Sequence, residues 1–302
     1  MSTRRFLLTP QLKIHNANAM SSPYTIGFPA MTAWLGAVHA LQRRLQTHPL
    51  MTELSLKRVA VSCHQFDLQT YKGSDDYIHS IIGTANPLDK DGNRPAFIEE
   101  ARCHLTVSLL IEYTGVSNDD VQTLTDQVNL ILPTLKMASG DVLGVKPAEV
   151  IIVDDEDETS VQKATKRLML GHVLIERRDL MIQSMQDGRD GLDALLDHLK
   201  IRHRAHEDES GKVTWTASRQ SKGWLVPIAV GFQSISPLGK AINQRDADTP
   251  HCFAESVVTL GEFVMPYRID IDGFDSIFWQ YHAQSEHGLY VCMTQTTTFN
   301  HV

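Results

Sequence analysis

The stretch RCHLTVSLLIEY, residues 102–113, decides how the rest of the chain is read. Its first seven residues alternate polar and apolar, and it is rich in branched side chains, the pattern of a strand. Upstream, residues 67–97 are turn-rich and weakly apolar, with Gly73, Gly83, Asn86-Pro87, Asp91-Gly92-Asn93 and Pro95. Structureless loops of that length are uncommon inside compact domains, so a protruding hairpin is expected there. Before it, residues 59–66 read as a second strand. Downstream, residues 119–137 predict a helix whose buried stripe is Val121, Leu124, Val128, Ile131, Leu132 and Leu135, and 150–153 is a short apolar strand.

Farther out, residues 4–14 alternate as a first strand interrupted by Pro10. The segment 16–23, Asn-Ala-Asn-Ala-Met-Ser-Ser-Pro, is too small and polar to pack a core; its amides and hydroxyls suit turns and also phosphate or base-edge contacts. Pro29 is placed as a first helical residue, and Met31, Trp34, Leu35, Val38, Leu41 and Leu45 follow at helical spacing. At 100° per residue Arg43 lies opposite that stripe and His39 and Arg44 lie on its flanks. Beyond 153 come an acidic run at 154–158, a helical region at 160–204, a polar linker at 206–211, a buried strand at 223–232, a helix near 253–263 and a last strand at 290–299. Strand, helix, strand, excursion, strand, helix, strand implies an α+β domain of ferredoxin or RNA-recognition type with insertions.

A chain of 302 residues with 42% hydrophobic and 21% charged residues buries a full core and is not intrinsically disordered. No apolar stretch approaches the ~20 residues of a membrane-spanning helix, and the first eight residues lack a signal peptide's apolar region, so a cytoplasmic chain is expected. Cys63, Cys103, Cys252 and Cys292 show no framework spacing. Net charge is −8, but residues 1–66 hold seven bases and one acid, Glu53, leaving 21 bases and 35 acids for the remainder. A polyanion responds to the local patch, so the basic N-terminal part is a candidate anion surface on an acidic body. The competing reading is a solvated basic face balanced by acids folded against it.

Fourteen histidines invite a metalloenzyme, yet no His-Glu-x-x-His or Cys-x-x-Cys occurs. The adjacent pairs Cys63-His64 and Cys103-His104 split between opposite faces of a strand, and His198, His203 and His206 sit among Lys200, Arg202 and Arg204. The acids at 154–158 run consecutively, which splays them as a solvated loop, whereas a divalent site collects carboxylates from several elements. Nucleophile elbows, phosphate loops and dinucleotide fingerprints are missing. One catalytic candidate is left, His39 beside Arg43 and Arg44, as general base for cleavage of RNA through its 2′-hydroxyl.

The block 16–23, followed by Gly27-Phe28-Pro29 and by residues 38–44 (VHALQRR), resembles the N-terminal signature of the Cas-five-type subunits of type I-F CRISPR surveillance complexes, the Csy subunit-two family. Further similar stretches are 86–88 with Asp91-Gly92, 99–110, 223–228, 236–238, 260–262 and 288–290, in order along nearly the whole chain, with 140–222 the least familiar part. The resemblance implies an RNA-recognition-like head over residues 1–153 and 212–302, a thumb hairpin at 67–104 inserted in it, and a helical insertion at 154–211. It also implies a non-catalytic subunit that binds the 5′ handle of the guide RNA, pairs with the large subunit, abuts the first backbone subunit, meets target DNA only through the complex, and needs no cofactor or membrane. Arg43, Arg44 and Arg58 are then expected on phosphates and Asn16, Asn18, Ser21 and Ser22 on sugar and base edges, with His39 and Gln42 supporting that segment. Lys90, Arg94 and Arg102 line the thumb; Lys222 adds a cation, and Trp224 is either a stacking face or a core residue. The rivals are a metal-independent endoribonuclease acting on repeat RNA and a protein-interaction scaffold without RNA contact.

Overall fold

A long antiparallel ladder organises the molecule, whose computed structural model describes residues 3–82, 88–94, 100–246 and 248–294. In chain order its first half comprises β1 (Thr3–Asn18), α1 (Met31–Leu45), β2 (Ser55–Leu68), β3 (Arg102–Thr114), α2 (Val121–Ile131), β4 (Gly140–Gly144) and β5 (Glu149–Asp154). Strand β3 lies between β1 and β2 and is antiparallel to both. The outer edge of β1 is shared, with β5 pairing Thr3 to Leu8 and β4 pairing Lys13 to His15. The alternation in β3 persists physically: Cys103, Leu105, Val107, Leu109 and Ile111 face one side, while Leu110 belongs to a second cluster. The residues from Val107 to Tyr113 are buried throughout because both faces are covered there.

On the first face α1 and α2 pack Trp34, Leu35, Val38, Leu41, Leu124 and Val128 against Leu12, Val61 and Leu109. The six residues of the predicted α1 stripe are all buried. Pro29 lies two residues before the helix, which starts at Met31 after Ala30. On the second face Phe6, Ala60, Leu110 and Val153 meet Val161, Ala164 and Leu168 together with Phe274 and Phe278.

The second half continues the same sheet: α3 (Glu158–Lys166), β6 (His172–Glu176), α4 (Arg178–Gln186), α5 (Gly191–Leu199), β7 (Arg202–Glu207), β8 (Val213–Ser218), β9 (Leu225–Ser234), β10 (Ala254–Val264), β11 (Gln280–Gln284) and β12 (Leu289–Met293). Strand β6 joins the halves by pairing with β2 on one side and β10 on the other. The resulting 11-stranded sheet curls until Trp279, just before β11, exchanges both backbone hydrogen bonds with Val59 of β2. The class is mixed α and β with an antiparallel sheet, larger than a four-stranded head alone.

Several sequence expectations change. Residues 253–263 are strand β10: Val257, Val258 and Thr259 favour a pleated surface, and at Gly261 an added Cβ would meet Leu174 Cδ1 of β6 at 2.9 Å. The region 160–204, and with it the helical insertion at 154–211, holds α3, then β6, a strand of the main sheet, then α4 and α5. Residues 206–211 end one strand and turn into the next. The acids at 154–158 are not all solvated: Asp155 binds Arg4 and Asp157 caps α3. Helix α2 stops at Ile131, and Pro133 lies in the following 3₁₀ turn. In the excursion, β2 and β3 stay paired out to Leu68 and Cys103, and a short ladder joins Thr70–Tyr71 to Ser80–Ile81. The Asn86-Pro87 turn, Pro95 and the end of the expected last strand lie outside the described residues.

Candidate nucleic-acid interface

Helix α1 divides the expected site. Its buried stripe faces the sheet, and each flank borders a cleft. Along one flank Ala33, Ala37 and Ala40 form a wall of small side chains, and the facing wall is Asn18, Ser21, Lys136 and Ser139, enclosing about 280 Å³. One turn beyond Ala40 on the same flank, Arg44 donates to Thr134 Oγ1 at 2.5 Å. Small side chains let a chain of phosphates and sugars approach the helix, and the polar wall supplies donors and acceptors.

The far wall is held by a tight backbone approach. Ala138 and Ser139 both have positive φ, +49° and +66°, and Asn18 N–H donates to Ala138 O at 2.8 Å. A Cβ at Gly140 would meet Ile14 Cγ2 at 2.7 Å and His15 O at 2.8 Å, so only glycine admits the contact. Ser21 and Ser22 both bond Thr25 Oγ1, at 2.9 and 2.7 Å, which fixes the small hairpin of Met20–Ser22 and Thr25–Ile26. Ser22 is buried, whereas Ser21 borders the cleft.

Asn16 and Arg102 meet at a second place. The pairing of β1 with β3 shifts between Ile14 and Ala17, so His15 and Asn16 together stand opposite His104, a bulge that re-aims both side chains. Asn16 takes φ +61°, which asparagine tolerates, and its N–H donates to His104 Nδ1 at 3.2 Å. The rings of His15 and His104 stack with centroids 4.1 Å apart. Gln69 donates to Asn16 Oδ1 at 2.7 Å, and Arg102 donates to Asn16 O at 3.3 Å while pairing with Glu100. Gln69 and Arg102 sit on either side of the excursion between β2 and β3, so this cluster stands at its root.

The other expected residues lie apart. His39 and Gln42 are on the opposite flank of α1, beside Lys57, Tyr281 and Tyr290 in a cleft of about 500 Å³. Gln42 Oε1 accepts from Leu56 N–H at 2.7 Å and so ties α1 to β2, not to the 16–22 segment. Arg43 is exposed on the outer face. Arg58 does not join it: Arg58 donates to Glu112 at 2.5 Å and Asp275 at 2.9 Å and lies 5.0 Å from the Phe278 ring centroid, on the sheet face away from α1. Lys90 and Arg94 are exposed in segment 88–94, which Asp89 folds by accepting the N–H groups of Asp91 and Asn93. Lys222 is exposed, and Trp224, 55% exposed, rests against Phe263 and His172 with ring centroids 5.1 and 5.2 Å away, beside a largely apolar cleft of about 410 Å³. Trp224 is therefore a half-exposed residue at the cleft and not a core tryptophan.

Lys136, Ser139, His15, His104 and Gln69 were not singled out as site residues from sequence. For Lys136 and Ser139 the only signal is the Ala-Ser-Gly turn at 138–140; for the histidine pair it is the bulge, which exists only once β1 and β3 are paired. Burial pushes the Cys63, Cys103 and Cys292 thiols up to about 12, so each stays protonated near neutrality. Among the described residues no group of three or more His, Cys, Asp or Glu is arranged to hold a metal, and no helix is long and apolar enough to cross a membrane.

Comparison with known proteins adds a family. The family model described as CRISPR-associated protein (Cas_Csy2) matches residues 7–292. CRISPR-associated protein Csy2 of Pseudomonas aeruginosa (strain UCBPP-PA14) is 35% identical over 311 residues, spanning 94% of this chain and 93% of the relative.

Proposed function

The chain belongs to the Csy2 family of CRISPR-associated proteins, and on that premise we propose that it is a non-catalytic subunit of a type I-F CRISPR surveillance complex that holds the 5′ handle of the guide RNA. The observation that carries the RNA-holding role is the cleft beside α1, where Asn18, Ser21 and Lys136 face a wall of alanines, with Arg44 one turn further along the same helix flank, bonded to Thr134. Single-stranded RNA is recognised by phosphate contacts and by hydrogen bonds to sugars and splayed bases, and this cleft offers both. Arg43 and Arg44 take phosphates, Asn18 and Ser21 take sugar and base edges, and Asn16 with Arg102 continues the track to the root of the excursion. Arg58 is a structural ion-pair residue in this reading.

The order β1-α1-β2-β3-α2-β4/β5, with strands side by side as β2-β3-β1-β4/β5, supports reading residues 3–154 as a ferredoxin-like head. The excursion at 67–104 is then the thumb, bearing Lys90 and Arg94, and 154–211 is an insertion that contributes one strand to the sheet. The partners are the complex's large subunit and its first backbone subunit, in the cytoplasm, with target DNA met only through the assembly. A cleaving role fits less well, because His39 has no hydrogen-bond partner to orient it among the described residues, whereas a general base needs positioning.

The test is to tag the chain, co-express it with its genomic neighbours and a repeat array, and sequence the co-purifying RNA. A homogeneous RNA with one 5′ end, eluting with a large protein partner, is expected. An intact protein assembly without RNA would point instead to a scaffold.

A further inference from the structure

Strands β7 and β8 form a two-stranded ribbon in register from Arg202↔Ser218 to Glu207↔Val213, and all twelve of their residues are exposed. Asp208 shapes its turn by accepting the N–H groups of Ser210 and Lys212 at 2.9 and 3.0 Å. An isolated hairpin is marginal in water, so a ribbon with no packed face is built to meet something outside the chain.

Its two faces differ. Residues directly opposite in an antiparallel pair share a face, and alternate residues along a strand point the same way. One face therefore carries Arg202, Arg204 and His206 with Ser218, Thr216 and Thr214; the other carries His203, Ala205 and Glu207 with Ala217, Trp215 and Val213. The first face holds two guanidiniums, an imidazole and three hydroxyls, and no carboxylate. Arg204 has no side-chain partner among the described residues, and Arg202 reaches only Asp197, at 3.6 Å. His206 Nε2 and Thr216 Oγ1 are 3.2 Å apart on this face, as its geometry requires. The cationic run continues along the chain through Arg219 and Lys222 to the half-exposed Trp224.

We infer that the arginine face of this ribbon clamps the sugar-phosphate backbone of the single-stranded guide RNA, at a place separate from the α1 cleft. This rests on the RNA-holding reading above. Arginines two residues apart stand about 6.7 Å from each other along a strand, a spacing that lets each address its own phosphate. Thr214 and Thr216 donate to the carbonyls of His206 and Arg204 across the ribbon, which leaves their oxygen lone pairs as acceptors for 2′-hydroxyls, groups that DNA lacks. Acidic Glu207, Asp208 and Glu209 at the tip keep the strand on the stem of the ribbon.

The experiment measures binding of a fluorescent single-stranded repeat RNA to the full-length chain across a series of KCl concentrations. R202Q/R204Q is expected to weaken binding about tenfold and to flatten the slope of log affinity against log salt by about 1.4, some 0.7 per lost phosphate contact. Trp215→Ala, on the opposite face, leaves both unchanged. An unaltered slope in R202Q/R204Q, with RNA still bound, overturns the ribbon assignment and leaves the α1 cleft standing. The same loss in Trp215→Ala overturns the assignment to one face. Equal affinity for DNA of the same sequence overturns the RNA assignment, and a wild-type chain that binds no RNA removes the functional reading and the clamp together.

Discussion

At Glu112 two arginines from different strands converge on one carboxylate. Arg58 donates to it at 2.5 Å and Arg4 approaches at 3.7 Å, while each also binds Asp275 and Arg4 additionally binds Asp155. Glu112 is 8% exposed, so its charge is compensated by these partners and not by water. Glu112→Gln is expected to cost about 2 kcal/mol of folding stability, measured by urea unfolding, without altering RNA content of the purified complex. The opposite pattern is expected at the cleft: Arg44→Gln with Lys136→Gln, which gives up only the exposed Lys136–Asp141 pair and the exposed bond of Arg44 to Thr134, should shift the urea midpoint little and lower RNA retention at least about tenfold. Arg58 and Arg44 look alike in the sequence. Which carboxylates stand across the sheet separates them, and those lie 54 and 217 residues from Arg58.

Among the elements, α1 is the one whose reading carries most directly from sequence to structure. All six apolar residues predicted at helical spacing are among the seven it buries, Ala37 being the seventh, because a helix facing a sheet hides one stripe. Trp34→Ala, with a fully buried side chain, should cost about 4 kcal/mol by thermal or urea unfolding. The turn at 138–140 is the contrasting case. Its positive φ angles and the close approach of Gly140 to β1 are imposed by packing, and nothing in its three small residues announces a cleft wall. Gly140→Ala is expected to lose about 2 kcal/mol and also RNA affinity, since the turn and Lys136 must move off Asn18. A variant that loses stability but keeps full RNA affinity would separate this turn from the interface. Strand β10, expected as a helix, shows why short apolar runs mislead: its residues are flanked on both sides by β6 and β9, and that context outweighs local pattern.

Across the whole molecule the Arg4, Arg58, Glu112, Asp155 and Asp275 cluster fastens the first strand to segments 151 and 271 residues away. Burial alone would raise the Asp275 carboxyl, but its hydrogen bond to Arg4 and the charge of Arg58 outweigh that and hold it below its ordinary value. A carboxyl depressed in the fold contributes stability that is complete above its unfolded value of about 3.9 and is lost as pH falls through the folded value. Stability should therefore drop on acidification below about pH 4, and Asp275→Asn should flatten that part of the curve while leaving the neutral-pH slope unchanged. The amino-acid sequence by itself determined the succession of strands and helices around residues 102–113, the α1 stripe and the basic bias of the first 66 residues, because periodicity and charge are local properties. Only the tertiary structure decided that the sheet runs on through β6 into the C-terminal half, that Arg58 is neutralised while Arg44 stands on the cleft flank of α1, that Asn16 meets Arg102 and His104 across a bulge, and that residues 202–218 project as a ribbon with one cationic face. Each of those depends on register and on which residue arrives opposite which, and a chain's local pattern does not encode its distant neighbours.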